Sequence, residues 1–225
     1  STDYQVYNNS AQQDASTEAV RETASEVLKY KGNIVTTYYY STSCGKTTTM
    51  KAWGTSENES NGYLQSVEVK DKNGDYEKLL PWYRWEADID QDILSALLAE
   101  NVKKNIGTVQ SLEVTKTGPG GVALQIKAVG DKGSITVDTE NKIRKALGGN
   151  GYEIKKQDGT VAQSGTLLPS AFFKVKKAGN IFKIIGGGYG HGIGMSQNGA
   201  NEMAKTGKNY QEILQMFYPG TTIEK

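Results

Sequence analysis

The sequence predicts an α+β protein, a mixed and strand-rich core with an inserted α-β-β-β-α lobe. Three observations support that class. Helical spacing of apolar residues is confined to a few short segments, most other apolar residues sit in short runs of β-branched and aromatic side chains, and glycine-rich turns punctuate those runs. With 225 residues the chain can bury a sizeable core as one large domain or two lobes.

Residues 14–30 carry Ala15, Ala19, Val20, Thr23, Val27 and Leu28, mostly three to four apart, which predicts an amphipathic helix capped by Asp14 or Ser16 and stopped by Gly32. Residues 34–42 form a dense block of Ile34, Val35, Thr36, Thr37 and three tyrosines, predicting a strand that enters a loop at 43–49. Alternation along Tyr38, Tyr39 and Tyr40 sends the outer pair to one face and the middle ring to the other, so only one face can line a site. A polar loop at 54–62 precedes Pro81-Trp82-Tyr83-Arg84-Trp85, whose three large rings suit a core or a binding wall. Ile93, Leu94, Leu97 and Leu98 predict a helix from Asp90 to about Val102, with Asp88 or Asp90 as cap and Gly107 beyond its end. Residues 109–116, 122–129 and 134–137 predict a meander turned by Gly118-Pro119-Gly120-Gly121 and Gly130-Asp131-Lys132-Gly133, followed by a short helix at 140–147. Residues 86–148 are thus expected to form the lobe, on a core made of 1–85 and 149–225. Further strands are predicted at 152–154, 172–175 and 181–185, then helices around Ala200, Met203 and Ala204 and around Ile213, Leu214 and Phe217.

Lys+Arg 26 against Asp+Glu 25 leaves a formal charge of +1, so no global field attracts nucleic acid or an anionic membrane surface. No run approaches the roughly 18 to 20 apolar residues that a membrane-spanning helix requires, so membrane attachment is expected only through a segment absent here. The start, Ser1-Thr2-Asp3-Tyr4, lacks a basic-then-apolar leader. Cys44 alone excludes an internal disulfide, and with His191 the only histidine no Cys/His zinc site can be assembled; no metal and no cofactor is expected.

Two nucleotide motifs fail on spacing. Ser43-Cys44-Gly45-Lys46-Thr47 has Tyr40 where a phosphate loop needs its first glycine, and the glycine stretch at 186–194 meets the dinucleotide fingerprint in no frame. That stretch nevertheless places six glycines in nine residues around His191, just before Ser196 and Gln197 at the start of a helix. Backbone free of Cβ atoms can approach a ligand closely, and helix N–H groups favour an acceptor oxygen, which suits a hydroxyl-rich or carboxylate-bearing ligand. The alternative is a tight strand-to-helix crossover in which His191 only bonds a backbone carbonyl. Cys44 is a candidate nucleophile with His191 as its base if folding brings them together. Glu57, Glu59, Glu86 and Asp88 are the candidate carboxylates for glycoside chemistry; Glu57 and Glu59 lie in a polar loop, and only Glu86 has a neighbour, Trp85, able to desolvate it and raise its pKa. As a first-turn helix acid, Glu86 would have no catalytic part.

The run Gly188-Tyr189-Gly190-His191-Gly192-Ile193-Gly194-Met195-Ser196-Gln197-Asn198-Gly199-Ala200, followed by Met203-Ala204, Gly207, Tyr210, Ile213-Leu214 and Tyr218-Pro219-Gly220-Thr221, resembles the C-terminal signature of the stage II sporulation protein D family, the SpoIID/LytB domain. Further matches run in family order: Gln5-Val6-Tyr7, Ala19-Val20-Thr23 with Val27-Leu28, Tyr40-Ser41-Thr42-Ser43 with Gly45 and Thr47, Arg144 with Leu147-Gly148, and Leu168-Pro169-Ser170 with Phe173.

That resemblance implies peptidoglycan as the substrate, acted on outside the cytoplasmic membrane by a lytic transglycosylase or by a non-catalytic amidase enhancer. In the transglycosylases one Glu is general acid and base and the sugar's own 6-hydroxyl attacks, so a second carboxylate is not demanded. The family's Glu lies on a helix upstream of the segment matching Gln5-Val6-Tyr7, so the proton donor is expected outside these residues. The zinc-binding His and Cys positions of some members, just before Gln5, are unmatched, and Cys44 stands where many relatives have glycine. The resemblance implies a substrate-groove role for the loops at 40–47 and 191–197, with Tyr40, Ser41, Ser43, Thr47, His191, Ser196 and Gln197 as the candidate contacts. By their chemistry, the rings of Tyr39, Tyr40, Trp82 and Trp85 suit stacking on sugar faces, and Ser and Gln side chains suit bonding hydroxyls. Its implied partners are glycan strands and a wall amidase or another sporulation or autolysin protein; the full-length protein is expected to be secreted or anchored at its N-terminus. The resulting expectation is one sugar-holding trough made by two bends, with no acidic side chain seated between them.

Overall fold

The computed structural model describes residues 13–225. The segment Gln5-Val6-Tyr7 lies outside the described residues.

The expected helix over 14–30 is cut in two. A helix spans Asp14–Glu22 with Gln13 as its cap, and none of its residues is buried. Val27–Tyr30 is instead a strand, because Val27 and Leu28 find a partner strand in Thr222–Glu224 from the far end of the chain. Asn33–Ile34 adds the third strand of this small sheet, and Lys29 pairs with Glu224 at 2.7 Å. The single long strand expected at 34–42 reduces to Asn33–Ile34 and Tyr39–Tyr40, since the chain there passes from one sheet to another.

The largest sheet has five strands, in the order Val161–Gln163, Glu153–Lys156, Trp85–Asp90, Ile181–Gly186 and Phe173–Ala178, with every neighbour antiparallel. Along its middle strand, Trp85, Ala87 and Ile89 are buried while Glu86, Asp88 and Asp90 face outward, the period of two that a half-buried strand requires. Asp90 then caps the helix Gln91–Val102 by accepting from the Asp92 N–H at 2.8 Å. Leu94, Leu97 and Leu98 bury that helix. The meander follows as Val109–Thr117, Ala123–Gly130 and Gly133–Asp138, and the helix Glu140–Leu147 closes the unit. Residues 86–90 therefore lie in the five-stranded sheet, and the helix, three strands and helix occupy the stretch after them. One apolar cluster runs through both parts, from Phe182 and Ile184 through Ile89 and Leu98 to Ile126 and Ile143. The molecule is thus α+β.

Two helices, Gln197–Lys205 and Tyr210–Phe217, precede the terminal strand, and a capping box between Asn209 and Glu212 opens the second. Among the described residues no helix is long and apolar enough to cross a membrane.

Candidate functional site

The loop after Tyr40 and the glycine-rich bend around His191 are joined along much of their length. Tyr39–Tyr40 runs parallel to Met195–Ser196, Thr42 and Tyr189 exchange backbone hydrogen bonds at 3.0 and 2.8 Å, and the Thr48 N–H donates to the Gly192 carbonyl at 2.7 Å. Gly194 makes this approach possible. Its φ is +76°, and a Cβ there would lie 2.0 Å from the Tyr38 carbonyl oxygen, which itself accepts from the Met195 N–H.

An acid sits between the two bends, contrary to expectation. The Glu77 carboxylate is buried; one oxygen accepts from the Ser43 N–H at 2.9 Å and the Ser196 hydroxyl at 2.7 Å, and the other accepts from the Ser43 hydroxyl. Ser196 also caps the following helix, accepting from the Gly199 N–H at 3.2 Å. Burial outweighs these donors and lifts the Glu77 pKa above the usual carboxylate range. Both oxygens face inward, so Glu77 is a clasp between the bends and has no surface from which to protonate a ligand.

His191 is locked in one tautomer. The Ile193 N–H donates to Nδ1 at 3.1 Å, so Nε2 carries the hydrogen and donates it to the Tyr39 carbonyl at 3.0 Å. Its ring packs against Trp53 and Tyr40, with centroids 5.0 and 5.5 Å away. Burial first, and the Arg144 charge after it, pull its pKa down to about 4. With both ring nitrogens committed, His191 cannot serve as base to Cys44, whose own thiol is pushed up by burial. The Cys44–His191 hydrolase reading is therefore excluded.

Behind His191 stands a network that the sequence reading touched only at Arg144. Glu140 is fully buried and accepts from Arg144 Nη1 at 2.8 Å and from Trp53 Nε1 at 3.2 Å, while Arg144 Nε donates to the Leu168 carbonyl at 2.7 Å. The pair lies at i and i+4 on a helix, a spacing visible in the sequence.

The remaining expected residues divide by exposure. Tyr40, Ser43, Thr47 and Ser196 are buried; Thr47 Oγ1 donates to the Gln65 carbonyl and accepts from the Val67 N–H, and the Tyr40 hydroxyl finds no hydrogen-bond partner among the described residues. Ser41, His191 and Asn198 are half-buried and Gln197 is exposed. Of the rings expected to stack on sugars, Trp85 is buried, with Nε1 donating to the Gly188 carbonyl at 2.9 Å, and Tyr40 is buried against His191 and Gly190. Tyr39 and Tyr189 are exposed, and the Trp82 ring packs against Tyr189 at 4.8 Å. Glu86 behaves opposite to expectation: the alternation of its strand turns it away from Trp85, and Lys183 on the neighbouring strand, 2.7 Å away, lowers its pKa. Glu57 pairs with Lys51 and bonds the Thr49 side chain, and Glu59 approaches Lys31. Among the described residues no group of three His, Cys, Asp or Glu side chains is placed to hold a metal ion.

Fold and site define an α+β protein whose glycine-rich bend and serine-threonine loop are clasped by a buried acid. The chain belongs to the family described as Domain of unknown function (DUF8618), which matches residues 49–194. It is related to the SpoIID/LytB proteins. It is 28% identical over 247 residues to the amidase enhancer of Bacillus subtilis (strain 168), covering 99% of this chain and 34% of that protein. It is 29% identical over 209 residues to stage II sporulation protein D of the same organism, covering 93% and 51%. An uncharacterised protein of Brachyspira hyodysenteriae is 31% identical over 226 residues, covering 99% and 52%. The chain spans between a third and about half the length of these relatives. Two of these names refer to an amidase and to sporulation.

Proposed function

We propose that this chain holds peptidoglycan glycan strands outside the cytoplasmic membrane, as the binding part of a SpoIID-like lytic transglycosylase. One observation carries the reading: the two bends are hydrogen-bonded into one rim that presents the exposed Tyr39, Tyr189 and Gln197 beside the half-buried Ser41 and Asn198. Rings at such a rim stack on sugar faces, and serine, asparagine and glutamine side chains bond hydroxyls. Tyr40, Ser43, Thr47 and Ser196 shape the rim from within. Glu77 is filled by its own donors, so the proton for cleavage is assigned to the Glu that the family carries upstream of Gln5.

The test incubates peptide-free glycan strands with this chain and with a version extended upstream. Binding by both, with anhydro-muramyl ends produced only by the extended version, is the expected result. Cleavage by the 225-residue chain alone would overturn the placement of the acid. A second reading, a non-catalytic enhancer that engages the wall or an autolysin, is favoured by the likeness to the amidase enhancer across 99% of this chain. It predicts that neither version cuts while a wall amidase is accelerated.

A further inference from the structure

The small terminal sheet ends in an open edge. Its strand order is Thr222–Glu224, Val27–Tyr30, Asn33–Ile34, and among the described residues no strand pairs with the outer side of Asn33–Ile34. Lys31 and Gly32 both have positive φ, +50° and +81°, so the connection is a tight hairpin turn closed by the Tyr30–Asn33 pair. Along such a pair, residues bond inward and outward in alternation. Val35 is an inward one, its N–H donating to the Leu28 carbonyl at 3.1 Å, so the Ile34 N–H and carbonyl point away from the sheet. The next outward carbonyl, that of Thr36, is already taken by the Tyr63 hydroxyl at 2.8 Å.

A cavity of about 440 Å³ lies between this edge and the polar loop at 54–62, with Tyr30, Ile34, Val35 and Tyr63 as its apolar part and Lys31 and Glu59 as its charged part. The loop side is braced from within. Asn58 Oδ1 accepts from the Ser60 and Asn61 N–H groups at 2.9 and 3.2 Å, and Asn61 Nδ2 donates to the Ser56 carbonyl at 3.0 Å. The Tyr30 ring is tilted against Tyr63 at 5.5 Å, has the Lys31 ammonium 5.8 Å from its centroid, and would lie 3.3 Å from a Cβ on Gly220, which leaves little open face for a sugar to stack on. Ile34 is instead 69% exposed, a β-branched side chain standing uncovered beside two outward backbone groups. Lys31 and Glu59 are 4.0 Å apart with side chains 55% and 94% exposed, a pair too solvated to hold firmly, so an incoming carboxylate can take the place of Glu59 at Lys31.

We propose that this edge is a docking site for an extended segment of a partner protein, which adds as a fourth strand beside Asn33–Ile34. Its backbone bonds the Ile34 N–H and carbonyl, an apolar side chain enters the cavity, and an acidic side chain two residues away, on the same face, meets Lys31. Strand addition of this kind needs a regular backbone of L-residues. A wall stem peptide, with its D-residues and side-chain linkage, breaks that regularity and is the competing occupant. The assignment is independent of what the rim holds.

Binding to the 225-residue chain is measured by fluorescence anisotropy with a labelled probe, the blocked L-peptide Thr-Glu-Thr-Val-Thr-Thr. Methylating the valine nitrogen should weaken it about tenfold, because that residue faces Ile34 and loses its backbone donor. Replacing the probe's glutamate by glutamine should cost about threefold at low salt, less at high salt, and nothing in Lys31→Gln. Ile34→Pro removes only the outward N–H, keeps the inward pairing of its neighbours, and should weaken the probe about tenfold. Should that variant fail to fold, the methylated probe decides the matter on the unmodified chain. Equal binding of plain and methylated probes, binding unchanged by Ile34→Pro, or no saturable binding below millimolar probe overturns the docking edge. Tighter binding of a wall stem peptide than of the probe overturns the protein-segment assignment. Glycan binding by the same chain is expected to be unchanged in Ile34→Pro, and its loss there would overturn the separation of this edge from the rim.

Discussion

Removing the Glu77 carboxyl should loosen both bends at once. Glu77→Ala deletes the acceptor of three buried hydrogen bonds. Two of the stranded donors have an alternative: the Ser43 N–H lies 3.2 Å from Ser196 Oγ, and the Ser196 hydroxyl lies 3.3 Å from the Ser41 carbonyl. The Ser43 hydroxyl has no second acceptor among its contacts: its other bond is one it accepts, from the Gly45 N–H. One unsatisfied buried hydroxyl, together with the space vacated by the carboxyl and partly offset by relief of carboxylate burial, amounts to about 3 kcal/mol of lost stability. For a chain of this size that is a fall in Tm of roughly 6 to 12 °C. Glu77→Gln keeps one acceptor oxygen and should cost about 1 kcal/mol, or roughly 2 to 4 °C.

The pH dependence has a definite sign. Because the folded carboxyl has a pKa raised above its ordinary 4.5, the native state binds more protons than the unfolded one in that interval, and stability falls as pH rises through it. The advantage of the wild-type chain over Glu77→Gln should be largest near pH 4 and shrink toward neutrality. Thermal and urea unfolding at several pH values measure both effects. A Glu77→Ala chain that melts within a degree of wild type, or an advantage over Glu77→Gln that grows with pH, would refute the clasp.

Three other perturbations probe the same region. His191 is the sole histidine, so its ring resonances are unambiguous in an NMR titration; they should report an Nε2–H tautomer and a midpoint near 4, with stability lost as pH falls from the ordinary 6.5 toward that value, and a midpoint near 6.5 would contradict its burial. Arg144→Ala leaves the Glu140 carboxylate buried without its cation and should destabilise by about 3 to 5 kcal/mol, read by urea unfolding; a loss below about 1 kcal/mol would mean that the pair is open to water. Cys44 should react slowly with iodoacetamide at pH 7 and speed up only above the ordinary thiol range, while Cys44→Ala keeps glycan binding; rapid labelling at neutral pH would show the thiol to be less buried than the structure places it.

What could be read from the sequence was whatever is decided locally. The helix Gln91–Val102, its Asp90 cap, the helix Glu140–Leu147 and the meander between them follow from spacing and glycine turns within each segment. Val27 and Leu28 carry helical spacing in isolation and form a strand because their partner, Thr222–Glu224, lies almost the whole chain away. The two bends stood out through their glycine and serine content, but the acid that clasps them did not. Nothing in Asp75-Tyr76-Glu77-Lys78 distinguishes Glu77 from a surface residue, and its donors Ser43 and Ser196 come from distant segments. Glu86 failed for a related reason: proximity to Trp85 in sequence places the two on opposite faces of a strand, and the cation that matters comes from the neighbouring strand.

The small sheet that ties Val27 to Glu224 has a mechanical consequence. Val27, Leu28 and Lys29 face Glu224, Ile223 and Thr222 in that order, so a pull applied from both ends of the chain arrives at the same edge of the pair. The ladder then parts rung by rung, each bond bearing the load alone, as a zipper does. Tension along the polypeptide would peel this sheet at low force, while the five-stranded sheet stays intact behind it.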